Sequence, residues 1–94
     1  MKELKDTVEM MNSDDYKERF KAEYHQTKIR YEKLKAFNNK IEASRCTNNT
    51  WDARKKVEMP KHDCPDDLLT AQQRAMGEYL HLLEVRAVIE EIEL

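Results

Sequence analysis

Cys46, His62 and Cys64 are the residues whose types could hold a metal, at the spacing Cys-x15-His-x-Cys. Zinc sites usually draw their ligands as close pairs, with roughly two to five residues between them. No such pair is present, and a fourth ligand would have to come from His25 or His81, far off in the chain. Two cysteines in a reducing compartment are therefore expected as free thiols, with His62 a surface imidazole. No metal and no cofactor is expected. His25 and His81 could act as an acid–base pair only beside a carboxylate and in a cleft. Neither lies on an apolar seam, so both read as surface imidazoles. No Ser-His-Asp or Cys-His arrangement is legible, which removes support for nucleophilic catalysis. The chain is expected to have no catalytic residue and to be no enzyme.

Binding chemistry has better material. Trp51, Arg54, Lys55 and Lys56 form the most distinctive local cluster. A lone Trp among charges either pins a loop on its neighbours or anchors a partner, and Trp and Arg are enriched where interfaces hold most tightly. Pinning is the expectation. Arg86 stands among Leu82, Leu83, Val85, Ala87, Val88 and Ile89. It is expected to snorkel or to pair with Glu90 one turn on. In an assembly of several subunits it could instead line an anion pocket, with Arg74 as neighbour. Tyr16, Phe20, Tyr24, Tyr31 and Phe37 share one stretch with Lys17, Lys21, Lys28 and Arg30. Interleaved aromatic and basic groups can stack bases and neutralise phosphates. The same stripe is what a helical core requires, and core packing is the expectation.

The elements that must position these residues are helical. A single Gly and two Pro in 94 residues leave little for turn-rich β architecture and remove glycine-rich phosphate loops. Leu4, Val8 and Met11 share one face of a short helix expected within residues 1–12. Ser13 can cap the next helix, with Asp14 and Asp15 at its positive end. That helix is expected over residues 14–43. Within it Phe20, Tyr24, Thr27, Tyr31, Leu34, Asn38 and Ile41 recur at alternating intervals of 4 and 3, the seam of a coiled coil. Asn38 in that seam is expected to help set register. Residues 44–64 read as a long connecting loop, with two helical turns possible over 51–58. Pro65 can open a second long helix over 65–93, with Asp66 and Asp67 in its first turn. Gly77, costly inside a helix, could permit close approach of another helix.

The fold class expected is all-α: one domain over residues 1–94, built on a long antiparallel, coiled-coil-like hairpin. Charge agrees, because residues 14–43 carry net +2 and residues 65–94 net −5. A basic helix beside an acidic one favours that pairing. The second helix, however, carries apolar rows on two sides: Leu69, Met76, Leu80, Leu83 and Ala87, then Leu68, Tyr79, Leu82, Val85, Val88, Ile89 and Ile92. One neighbouring helix covers a single seam, and the N-terminal segment could cover part of the rest. A homo-oligomer, most simply a dimer, is expected. A net charge of −2 argues against general DNA binding. No apolar run reaches the roughly 18 residues that span a bilayer, and the charged start is not expected to act as a secretion signal. A cytoplasmic location without membrane contact is expected.

The stretch Tyr16-Lys17-Glu18-Arg19-Phe20-Lys21-Ala22-Glu23-Tyr24, continuing through Lys28-Ile29-Arg30-Tyr31-Glu32-Lys33-Leu34, resembles a family of small proteins of crAss-like and other gut bacteriophages and prophages. Ala75-Met76-Gly77-Glu78-Tyr79-Leu80 and Leu83-Glu84-Val85-Arg86-Ala87-Val88-Ile89-Glu90 share the resemblance. It covers both long helices and leaves out the loop. It implies phage origin, an intracellular setting in a bacterial host, and an accessory role exerted by binding. The partner implied is a host defence protein, such as a nuclease complex, or a signalling nucleotide of host immunity. A structural or regulatory coiled-coil adaptor in phage assembly or transcription is the alternative.

Overall fold

The computed structural model describes residues 3–94; Met1 and Lys2, the first two of the expected N-terminal helix, lie outside them. The described residues contain no strand. A 3-10 turn over Leu4–Thr7 runs into α1, Val8–Met11; α2 spans Tyr16–Cys46 and α3 spans Asp66–Ile89. The molecule measures 56 × 24 × 22 Å. It is an all-helical rod dominated by α2.

The ends of the helices follow local chemistry. Asp15, not Ser13, caps α2: its carboxylate accepts from the Lys17 N–H at 3.0 Å. Ser13 stands behind it and accepts the Asp15 N–H at 3.1 Å. Both choices satisfy donors that the first helical turn leaves free. Helix α2 runs three residues past 43, to Cys46, and Thr47 is its C-cap. There the Thr47 hydroxyl donates to the Ala43 carbonyl at 2.9 Å. The same oxygen accepts the Val57 N–H at 2.9 Å, which ties the returning loop to the end of α2. The two turns considered for 51–58 shrink to one 3-10 turn, Ala53–Lys55. Asp52 caps that turn through the Arg54 N–H at 3.0 Å, and Lys56 is already extended. Pro65 serves as N-cap of α3, and its carbonyl receives the Leu68 and Leu69 N–H groups.

Cross-helix bonds define the antiparallel register. Tyr16 donates to Glu90 at 3.0 Å and Tyr24 to Glu84 at 2.6 Å. Asn38 donates to the Leu69 carbonyl at 3.2 Å and to Gln73 at 2.8 Å. Arg45 pairs with Asp66 at the loop end. The main core lies at the opposite end, where Phe20, Tyr24, Leu80, Leu83, Ala87 and Ile92 pack together with Tyr31 against them. Full burial of such a side chain contributes about 1.5–3 kcal/mol. Leu34, mid-seam by spacing, is only half-buried. The chain leaves α3 through Glu91 at φ 57°, so that the Ile92 N–H reaches the Ala87 carbonyl at 2.8 Å. That left-handed turn drives Ile92 into the core.

The N-terminal segment does not cover the outer rows of α3. It packs on α2 and touches α3 nowhere among the described residues. Thr7, fully buried, accepts from Gln26 at 2.9 Å, and Gln26 also reaches the Met11 sulfur. Ala22 and Ile29, one turn on either side of Gln26, are buried on that face. Helix α2 therefore has two occupied faces. On α3, Leu82, Val85, Val88 and Ile89 remain exposed at 60, 43, 80 and 74%.

Candidate functional site

Along one side of the α2–α3 crease runs an open groove of about 810 Å³, lined by Tyr31, Thr70, Gln73, Arg74, Gly77, Glu78, His81 and Leu82. It continues through Thr70 and Gln73 into a second hollow of about 390 Å³, bordered by Asn38, Asn39, Ile41, Glu42, Arg45 and Asp66. Gly77, without a side chain, lets the Tyr31 ring pack onto α3 at the wall of the groove. A Cβ there would lie 3.2 Å from the Tyr31 ring, so the ring rests close against α3. The close approach anticipated at Gly77 is thus made by a side chain of α2 rather than by another helix. Lys35 stands 6.0 Å from the centre of the same ring.

The chemistry of the groove is that of a binding surface. Tyr31 offers an aromatic face, Gln73 and Thr70 offer amide and hydroxyl groups, and Arg74 offers a guanidinium. Neither Arg74 nor His81 has a hydrogen-bond or ion-pair partner among the described residues. In the adjoining hollow Arg45 is already paired with Asp66, and Asn38 spends its N–H groups on α3. Arg74 is therefore the cation in this groove left for an anionic ligand.

The residues singled out by sequence lie elsewhere. Trp51 is 95% exposed and does not pin the loop; that expectation is overturned. The returning loop is held instead by Thr47 and by His62. The His62 imidazole bonds the Pro60 carbonyl and Asp66, each at 2.7 Å, and lies edge-on to Phe37. His62 thus has a structural task that spacing did not reveal. Arg54 chelates Asp52, its own cap, at 3.2 Å, while Lys55 and Lys56 are exposed. Arg86 pairs with Glu90 at 3.1 Å, and its guanidinium carbon lies 4.9 Å from the Phe20 ring centre. Within the chain it is not Arg74's neighbour, being 12 residues, about three turns, further along α3.

The two remaining histidines face different surroundings. His25 packs edge-on to Tyr24 at 5.3 Å between ring centres, and burial, with Lys28 and Lys21 nearby, lowers its pKa. His81 lines the groove. Cys46 and Cys64 are free and exposed. Among the described residues no three His, Cys, Asp or Glu side chains converge as metal ligands. No helix of these residues is long and apolar enough to cross a membrane.

Tyr31 was legible as a seam aromatic, but its neighbours on α3 were not. Thr70, Gln73, Gly77 and His81 repeat at helical intervals of 3 and 4 on a polar row beside the apolar one. That row is the signal that could have found the groove.

A family model described as Sequestin matches residues 14–89, from the N-terminal end of α2 through the last residue of α3. The chain belongs to the Sequestin family. Comparison with curated proteins and with solved structures gives no match.

Proposed function

We propose that this protein is a phage-encoded accessory factor without catalytic activity, which sequesters a nucleotide signal of host defence in the α2–α3 groove. The observation that carries the reading is the conjunction of the Tyr31 ring with the unpaired Arg74 guanidinium along one crease. A base can stack on the first while a phosphate meets the second. Gln73, Thr70 and His81 supply polar groups for the sugar or the base edge. The family name supports a sequestering role. The phage and defence parts rest on the resemblance of the two long helices.

The test is titration calorimetry with a panel of linear and cyclic mono- and dinucleotides in the cytoplasmic pH range. One of them binds at micromolar affinity or better, and heat denaturation returns it chemically intact. Arg74→Ala weakens that binding by roughly tenfold or more, the loss expected with a charge-assisted contact. A panel without a single binder overturns the reading, and a converted ligand overturns its non-enzymatic part.

Direct inhibition of a host protein is the second reading. The exposed Trp51, flanked by Lys55 and Lys56, favours it, since a Trp held in water by a loop is a typical anchor for a partner. Co-purification with a defence nuclease that is lost in Trp51→Ala would select it.

A further inference from the structure

Helix α3 carries a second complete seam on its solvent side. Leu68, Ala71, Ala75, Glu78, Leu82, Val85 and Ile89 recur at intervals of 3, 4, 3, 4, 3 and 4, and every one of them is exposed. The row lies opposite Leu80, Leu83 and Ala87, which face α2. Three heptads of such spacing suit a helix of the same kind, not a flat protein surface. Leu68, Tyr79, Leu82, Val85, Val88 and Ile89, exposed by 41–80%, present on the order of 600 Å² per copy. A pair would bury about 1,200 Å², the lower end of a stable interface.

Charge selects the direction of pairing. In a parallel, in-register pair Glu78, the one acid in the seam, would oppose its own copy. In an antiparallel pair it opposes Leu82 of the other chain. The edges of the seam differ as well. Tyr79 and Arg86 on one edge are bonded back to Glu23 and Glu90 of the same chain. Arg74 and His81 on the other edge line the groove. Antiparallel coiled helices bring like edges together, so both grooves fall on the same side of the pair.

We infer that two copies pair antiparallel along this outer seam of α3, and that the pairing completes the groove. With Glu78 level with Leu82 of the second copy, the two-fold axis passes near position 80. The two His81 side chains then lie beside the axis, and Val88 of the other copy, on the like edge, comes within about two residues, roughly 3 Å along the helix, of the level of Arg74. Val88, 80% exposed in the single chain, becomes an apolar wall for the groove of its neighbour. Each site takes its aromatic face and its cation from one chain and this wall from the other. The role of the completed groove rests on the sequestration reading; the pairing itself does not.

The mass in solution is the first measurement. Light scattering at micromolar concentration gives an even multiple of the chain mass, and a monomer overturns the inference. Direction is read with a spin label at Gln72→Cys in a Cys46→Ser, Cys64→Ser background. Antiparallel pairing separates the two labels by about 25 Å, whereas parallel pairing brings them to about 10 Å and overturns the geometry. Val85→Glu with Ile89→Lys, both on the seam and neither lining the groove, yields a helical monomer. A variant that stays dimeric shows the seam to be wrong. Should the variant unfold, the wild-type mass and the label distance still decide. Nucleotide binding falls roughly tenfold in a folded monomer; unchanged affinity overturns completion of the groove. Arg74→Ala that stays dimeric but no longer binds separates the two ideas. A dimer with no nucleotide affinity sinks sequestration and leaves the pairing standing.

Discussion

Glu91 holds a left-handed conformation at φ 57°, which an ordinary residue adopts only at a cost. It does so because the turn places Ile92, 7% exposed, into the core beside Ala87. Glu91→Gly keeps the turn and removes the strain, so it should stabilise the fold by about 1 kcal/mol, visible as a higher urea midpoint. An unchanged or lower midpoint would mean that the carboxylate has another role. Tyr24 is a second informative residue. Burial first, then the Glu84 carboxylate, pushes its pKa to about 12. A phenol whose pKa is raised on folding contributes stability that is complete below its unfolded value near 10. That contribution is lost as pH rises through the folded value. Melting temperature should therefore fall more steeply above pH 10 in the wild type than in Tyr24→Phe. Parallel curves for the two proteins would contradict the assignment.

Burial makes α2 and α3 unequal along their length. The main core sits where the start of α2 meets the end of α3, around Leu83 at 1% exposure. Toward the loop the seam passes through half-buried Leu34 and Asn38 and buried Ile41, and ends in the Arg45–Asp66 pair. Leu83→Ala should cost about 2–5 kcal/mol, enough to unfold much of a domain this small at 37 °C. A substitution at half-buried Leu34 should cost less than the same one at Leu83. Circular dichroism melts of the two alanine variants decide the order, and a larger loss at Leu34 would place the core elsewhere. Asn38 belongs to this scale too. Its two bonds to α3 hold register, and Asn38→Ala should lose about 1 kcal/mol.

Across the whole molecule α2 is the shared support, with α3 on one side and the N-terminal segment on another. Removing residues 1–12 would uncover Ala22 and Ile29 while leaving the hairpin core intact. The truncated chain should melt several degrees lower yet keep its long-helix signal, since a loss of 1 kcal/mol shifts a domain of this size by roughly 4–8 °C. Complete unfolding would show that the segment is part of the cooperative core. The exposed loop and free thiols behave differently: Cys46→Ser with Cys64→Ser should melt within a few degrees of wild type.

Sequence alone determined the all-helical class, the two long helices and the seam through Phe20, Tyr24, Tyr31 and Ile41. Those features follow from local chemistry: heptad spacing, caps, and the absence of Gly and Pro over 14–43. The apolar surplus on α3 was likewise legible, because it can be counted without knowing what covers it. Tertiary structure decided the rest. The N-terminal segment could not be assigned to a face from Leu4, Val8 and Met11, since apolar spacing says which residues seek cover and not which neighbour supplies it. The site was missed for a related reason. Trp51 and Arg54 stand out locally, but a groove is made by residues distant in the chain. Tyr31 meets Gly77, Gln73 and Arg74 only when two helices lie side by side at one particular register.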